Sequence, residues 1–206
     1  MSVLNRKLAF LAWGGLLLTV AAVAVAFIAA PSKASLPVYG AMPAFQLTDQ
    51  ENHLATLENL HGQVWVADVI FTRCAGQCLV MSEHMKRIQS ALPSDAPIKL
   101  VSFTTDPAYD TPAVLQKYAA RYGAGQGRWF FLTGEKSVIR QAAVDGLKLT
   151  VLDKSAGEQE NSNDLFIHSA KFVVIDKSGR IRGYFDGETD EGTAQALAAA
   201  KTLARE

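Results

Sequence analysis

The chain of 206 residues is poor in cysteine, in net charge and, over its second half, in proline. Only two cysteines occur, Cys74 and Cys78, so no disulfide framework is built. A pair spaced four apart is too local to staple a fold, and is more naturally a redox couple or a metal clip. Lys plus Arg and Asp plus Glu each number 20, which leaves a formal charge of zero. With no long basic run either, neither a nucleic acid nor an acidic membrane surface is implied as a partner. All seven prolines lie at or before Pro112. The chain has no internal repeat.

Charge is also missing from one long stretch. Leu8 to Ala30 holds 23 residues without a charged side chain, directly after Arg6 and Lys7. As a helix it would be roughly 34 Å long at about 1.5 Å per residue, enough for a hydrocarbon core of about 30 Å. It exceeds the usual signal-peptide core of about 7–15 residues and is apolar on every face, unlike a core helix of a soluble domain. The expected layout is a cytoplasmic segment 1–7, a transmembrane anchor 8–30, a tether 31–43 stiffened by Pro31, Pro37 and Pro43, and one folded domain 44–206. Cations before the span favour a cytoplasmic N-terminus, so the domain belongs on the periplasmic face of a bacterial inner membrane. Cleavage after Ala34, with Ser32 two residues earlier, is the alternative to a retained anchor. No cysteine follows the apolar run, so a lipoprotein anchor is excluded.

Within the domain, Ala44–Leu47 and His53–Leu57 suit short edge strands. Val64–Phe71 is β-prone and almost wholly apolar, as in a central strand buried on both faces. Met81, Met85, Ile88 and Leu92 then recur at helical spacing, and Ile98–Phe103 is the next buried strand. Asp110-Thr111-Pro112 starts a helix that Gly123 stops. Trp129–Leu132 is a strand, Lys136–Asp145 a helix and Asp153–Asp164 a polar loop. A hairpin, Ser169–Ile175 and Arg180–Phe185, turns at Asp176–Gly179, and Thr189 or Asp190 caps a final Ala-rich helix. This order is that of an α/β thioredoxin-like fold with inserted elements. It sets the cysteines at the carboxyl end of the first central strand, where open α/β sheets place their sites.

If the helix begins near Cys74, positions i and i+4 share a face and both sulfurs converge. A pair of thiolates selects Cu(I) or zinc, and can equally close into a disulfide; spacing alone does not choose. Oxidoreductases of this fold carry C-x-x-C and a proline just before the hairpin strand. Here three residues intervene and His168 stands before the hairpin, which favours metal binding by Cys74, Cys78 and His168. A peroxidase is disfavoured, because Ala67 and Phe71 occupy the positions of its motif proline and hydroxyl residue. His53 and His61 fall near turns and suit solvation. His84 lies off the 81-85-88-92 stripe and is expected to face solvent, while Met81 and Met85 belong to the core rather than to copper.

Phe71-Thr72-Arg73-Cys74-Ala75-Gly76-Gln77-Cys78 resembles the F-T-x-C-P-x-x-C-P signature of the Sco/SenC family. Thr105-Asp106-Pro107 with Asp110-Thr111-Pro112 resembles its T-D-P-x-x-D-T-P stretch, Trp129–Gly134 its W-x-x-L-T-G, and His168-Ser169 with Val174-Ile175-Asp176 and Gly179 its H-S-x-x-x-x-L-V-D-x-x-G segment. The resemblance runs from about Phe45 to Gly187. It implies a thioredoxin-like domain on a single anchor, one copper ion held by Cys74, Cys78 and His168, and assembly of the copper centre of cytochrome c oxidase, whose copper-containing subunit is then the partner. Ala75 and Leu79 replace the two motif prolines, and Ile167 replaces the Asp that some members have before the histidine.

Three functions remain open: a copper chaperone, a thiol–disulfide oxidoreductase that reduces the target's cysteines, and a redox or copper sensor. The first needs the imidazole; pure dithiol exchange does not. An oxidising compartment drives Cys74 and Cys78 towards a disulfide, so loading with copper calls for a separate thioredoxin-like reductant. Truncation before Pro31 is expected to leave a soluble folded domain, since the expected core starts at Phe45. Insoluble or unfolded truncated protein would show that the N-terminal segment is more than a tether.

Overall fold

Val64–Ile70 is apolar except for Asp68, and all seven residues are buried. A strand without an exposed face must be covered on both sides and paired on both edges, and the architecture meets that demand. The computed structural model describes residues 35–155 and 166–206, with Trp13, Gly15, Leu16 and Thr19 in addition. In chain order its strands are β1 (Gly40–Ala41), β2 (Gln46–Thr48), β3 (Leu54–Thr56), β4 (Val64–Ile70), β5 (Ile98–Thr104), β6 (Trp129–Leu132), β7 (Val151–Asp153), β8 (Phe166–His168), β9 (Lys171–Ile175) and β10 (Arg180–Asp186). Its helices are α1 (Leu57–Leu60), α2 (Gln77–Ser90), α3 (Pro112–Tyr122), α4 (Lys136–Arg140) and α5 (Asp190–Ala204).

A six-stranded mixed sheet runs β1-β10-β9-β4-β5-β6. β5 lies parallel to β4, and β6 parallel to β5. β9 pairs antiparallel to β4 on its other edge, and the β9–β10 hairpin completes that side. Side chains of β4 alternate between two cores. Val64, Val66 and Ile70 meet Met81, Met85 and Ile88 of α2, Leu115 of α3 and Ala196 and Ala200 of α5. Trp65, Ala67 and Val69 point the other way, against Phe45, Leu47, Ile139 and Leu147. Met81 and Met85 are thus core residues, each worth about 1.5–3 kcal/mol of apolar burial.

Local signals end the helices where expected. The Thr111 side chain accepts from Val114 N–H, Pro112 fills the first turn, and Gly123 closes α3 with φ of 64°. Thr189, rather than Asp190, caps α5 by accepting from Gly192 N–H. Other elements differ. The expected helix Lys136–Asp145 is α-helical only to Arg140 and continues as a π-helical turn over Gln141–Gly146. The early edge strands form a separate β2–β3 ribbon, joined to the end of β6 by mutual backbone bonds between Thr48 and Thr133. The expected loop begins in β7, which pairs antiparallel with β8 and sets Val151 opposite His168. Residues 156–165 lie outside the described residues.

The folded unit spans Leu36–Glu206. Residues assigned to the tether already bind it: β1 pairs with β10, and the buried Arg182 guanidinium donates to the carbonyls of Leu36 and Pro37. Arg182 also pairs with Asp176, at 2.8 Å. Asp176 follows Ile175, which lies opposite Trp65 at the start of β4. Leu36 and Pro37 are therefore held at the end of the sheet remote from the cysteines. The anchor expected over 8–30 lies outside the described residues apart from Trp13, Gly15, Leu16 and Thr19, which are helical. Among the described residues no helix is long and apolar enough to cross a membrane.

Gly192, in the first turn of α5, is the tightest glycine: an added Cβ would stand 2.1 Å from the Asp186 carbonyl oxygen. That neighbour is backbone and cannot rotate away. Gly192→Ala is expected to cost at least about 2 kcal/mol, or roughly 4–8 °C of melting temperature for a domain this size. Thermal unfolding followed by circular dichroism checks this, and an unchanged midpoint would contradict the packing described.

Candidate functional site

β4 ends at Ile70, and the chain turns at once. Cys74 N–H donates to Phe71 O at 3.2 Å, and α2 starts only at Gln77. The helix therefore begins three residues later than the i, i+4 reading of the cysteines expects. Gly76 is its N-cap, with φ −133° and ψ −104°, and offers no capping side chain. The first amides of a helix need acceptors. Cys78 N–H finds one in the Cys74 sulfur, at 3.5 Å. Cys74 thus sits on a loop at the positive end of α2, and Cys78 sits in its first turn. The sulfurs converge because one caps the helix that bears the other.

The two thiols are unequal. Cys74 is partly exposed and Cys78 fully buried. The Cys78 thiol is pushed far above its ordinary pKa, first by its hydrogen bond with Cys74, then by burial and by the charge of Cys74. A backbone bond from Phe71 opposes these, and the buried Asp68 adds to them.

His168 closes β8, three residues before β9. Since β9 runs antiparallel to β4, the chain enters β9 at the same end of the sheet at which β4 releases Cys74. The backbone of His168 thus comes to the cysteine end; its side chain lies outside the described residues. Among the described residues no cluster of three or more His, Cys, Asp or Glu side chains is arranged to hold a metal.

His84 overturns one expectation. It is buried, at 5 % exposure, rather than facing solvent. Its Nδ1 lies 2.9 Å from Gly187 O, and Gly187 N–H donates to Ala170 O, also at 2.9 Å. The cysteine helix is thereby registered to the segment just after His168, with Gln77 bonding Glu188 alongside. The spacing 81-84-88 places His84 beside the apolar stripe and was the signal for its burial. His53 and His61 are exposed as expected, with His53 near Asp49 and Glu51.

Sequence comparison gives this site its context. The family model described as SCO1/SenC matches residues 36–204. The chain belongs to the SCO1/SenC family. A SCO1 protein homolog of Bacillus subtilis is 34 % identical over 145 residues, 69 % of this chain and 72 % of that protein. A putative copper-binding protein of Stutzerimonas stutzeri is 30 % identical over 152 residues, 72 % of this chain and 71 % of that one. The solved structure of BsSco, described as a member of the Sco family of cytochrome c oxidase assembly proteins with a disulfide switch, superposes with a TM-score of 0.70 at 28 % identity, covering 82 % of this chain and 98 % of that one. The SCO1/SenC fold is the thioredoxin-like α/β arrangement expected from the order of elements.

The exposure of Cys74, and the burial and raised pKa of Cys78, favour Cys74 as the first nucleophile. With limiting iodoacetamide at neutral pH, the reduced domain is expected to carry label on Cys74 at least about ten-fold faster than on Cys78. Peptide mapping by mass spectrometry reads the ratio; faster labelling of Cys78 would contradict the burial found here.

Proposed function

We propose that this protein is a copper chaperone that binds one copper ion through Cys74, Cys78 and His168 and assists assembly of the copper centre of cytochrome c oxidase. The observation that carries the proposal is the close approach of the two cysteines just past the carboxyl end of β4, with the backbone of β8 bringing His168 to the same end of the sheet. Two thiolates and an imidazole are a soft donor set suited to Cu(I), and extendable to Cu(II). The family, the copper-binding relative and the oxidase-assembly role of BsSco all support it.

The donors fit a cargo ion better than a permanent one. Cys74 is partly exposed and the next two residues are exposed, which leaves an open approach to the sulfur. Cys78 is buried with its proton held tightly, so its ionisation is favoured only when a cation arrives to compensate the charge. Proton release and copper uptake are then coupled, and reprotonation of Cys78 favours release to an acceptor. The copper-containing oxidase subunit is that acceptor in this reading. A retained anchor over 8–30 would keep the domain on the periplasmic face of the inner membrane, near both the subunit and a thioredoxin-like reductant.

A second reading, a thiol–disulfide oxidoreductase acting on the target's cysteines, draws on the contact between Cys78 N–H and the Cys74 sulfur, which shows that the two residues approach closely. His168→Ala separates the two. As a ligand, His168 is needed far more for Cu(II) than for Cu(I), because Cu(I) tolerates two thiolates while Cu(II) takes a nitrogen donor. The reduced domain is expected to take up one copper, and His168→Ala to lose Cu(II) binding and oxidase assembly while still cycling its disulfide. Copper retained in full after thiol alkylation would sink the chaperone reading. Wild-type copper binding and assembly by a folded His168→Ala would move dithiol exchange to first place.

A further inference from the structure

The segment Thr104–Thr111, which follows β5, holds the two residues that precede Cys74. The Asp110 carboxylate is fully buried. It accepts from Thr72 N–H at 3.1 Å, from the Thr72 hydroxyl and from the Thr104 hydroxyl. Thr104 is oriented for this, because its oxygen accepts from Asp106 N–H at 3.0 Å. One residue further, Arg73 donates to Asp106 Oδ2 from Nε at 3.2 Å and from a terminal nitrogen at 2.5 Å. Its guanidinium lies 4.3 Å above the ring of Tyr109.

The segment is itself referred to β4. Thr105 N–H donates to Ile70 O at 2.8 Å, and Asp110 N–H to Asp106 O at 2.9 Å. On the other side of Cys74, Ala75 and Gly76 are exposed, and a Cβ on Gly76 would meet no atom within 4 Å. Cys74 is therefore pinned from its N-terminal side and open on its C-terminal side. A buried carboxylate is an expensive way to obtain stability, and an apolar or neutral group at the same place often serves as well or better. Its three directed bonds instead fix where one backbone amide and one hydroxyl lie.

We propose that Asp110 is a positioning residue of the dithiol: through Thr72 it sets the place of the Cys74 sulfur relative to Cys78, and so sets how readily the pair closes. The role rests on the dithiol of the proposed site and not on copper. Closure is written as an exchange in which glutathione disulfide is the oxidant. Cys74 attacks it as the thiolate, one glutathione leaves, and Cys78 displaces the second from the mixed disulfide. The protein gains one S–S bond and loses two protons, and one glutathione disulfide becomes two glutathiones.

The equilibrium constant of that exchange, measured on the soluble domain in glutathione buffers without metal, is the test. Asp110→Ala and Thr72→Val are expected to lower it, Asp110→Ala by about ten-fold. Asp110→Asn keeps an oxygen facing Thr72 N–H and is expected to fall between Asp110→Ala and wild type. Ile139→Val, in the apolar cluster on the other face of the sheet, serves as the control for general loss of stability and is expected to leave the constant within two-fold of wild type. If Asp110→Ala does not fold, Thr72→Val carries the test by itself, since it removes one hydroxyl and keeps the side-chain shape. Values for both variants within two-fold of wild type overturn the proposal, as does an equal shift in Ile139→Val. No metal enters the measurement, so its outcome is separate from whether the domain binds copper.

Discussion

The absence of any exposed face on β4 is the constraint from which the arrangement of this domain follows. Seven buried residues, covered by α2, α3 and α5 on one side and by the β2–β3 ribbon and α4 on the other, leave the chain no freedom until Ile70. The first irregular residues then appear where the sheet ends; Cys74 falls among them and Cys78 in the first turn of the helix that follows. Chemistry at the end of a buried strand inherits the rigidity of the sheet, while the loop itself stays reachable. The same strand orders the far side of the site. Its antiparallel partner β9 must enter where β4 exits, and so His168 comes to the cysteine end without any local sequence signal requiring it.

The inequality of the two thiols bears on how such a site works. Two equally exposed cysteines would oxidise freely and bind soft metals without discrimination. Here one sulfur caps a helix from a loop, and the other is buried in the first turn with its proton held tightly. In the function proposed above, the exposed member makes first contact with a partner, whether thiol or metal. The buried member commits only when a second event, a cation or a mixed disulfide, compensates for the loss of its proton. Delivery and dithiol exchange are therefore two uses of one asymmetry.

The elements that were legible in the sequence share a feature: each is dictated by its own residues. β4, β5 and β6 are mainly apolar and almost wholly buried, α3 carries Thr111, Pro112 and Gly123 at its ends, and the β9–β10 hairpin has its turn chemistry. What was not legible depends on residues far apart in the chain. Nothing in Val151–Asp153 announces its pairing with Phe166–His168, and the π-helical turn after Arg140 has no residue signature. The start of α2 at Gln77 is not legible from i, i+4 spacing, because the Cys74 sulfur does the work of a capping side chain. His84 was misassigned for a related reason. Its ring is buried by a carbonyl 103 residues away, Gly187 O, which no helical wheel displays.

With the two motif prolines missing, restraint on the cysteine loop rests on tertiary contacts. A proline at position 75 would fix φ just after Cys74 and stiffen the loop from within. Ala75 leaves that torsion free, and Gly76 has open space around it. The restraint that is present comes from outside, from Asp110 and Asp106 bonded to Thr72 and Arg73. These devices differ in consequence. A proline restrains the peptide between the sulfurs, so it limits how their separation changes. A clamp on the residues before Cys74 fixes one sulfur relative to the sheet and leaves the peptide between them free to adjust. If the site holds both an ion and a disulfide, as proposed above, it needs that freedom, because a metal-bridged pair stands further apart than a bonded one. The clamp thus holds the position of Cys74 while conceding the mobility that Ala75 and Gly76 provide.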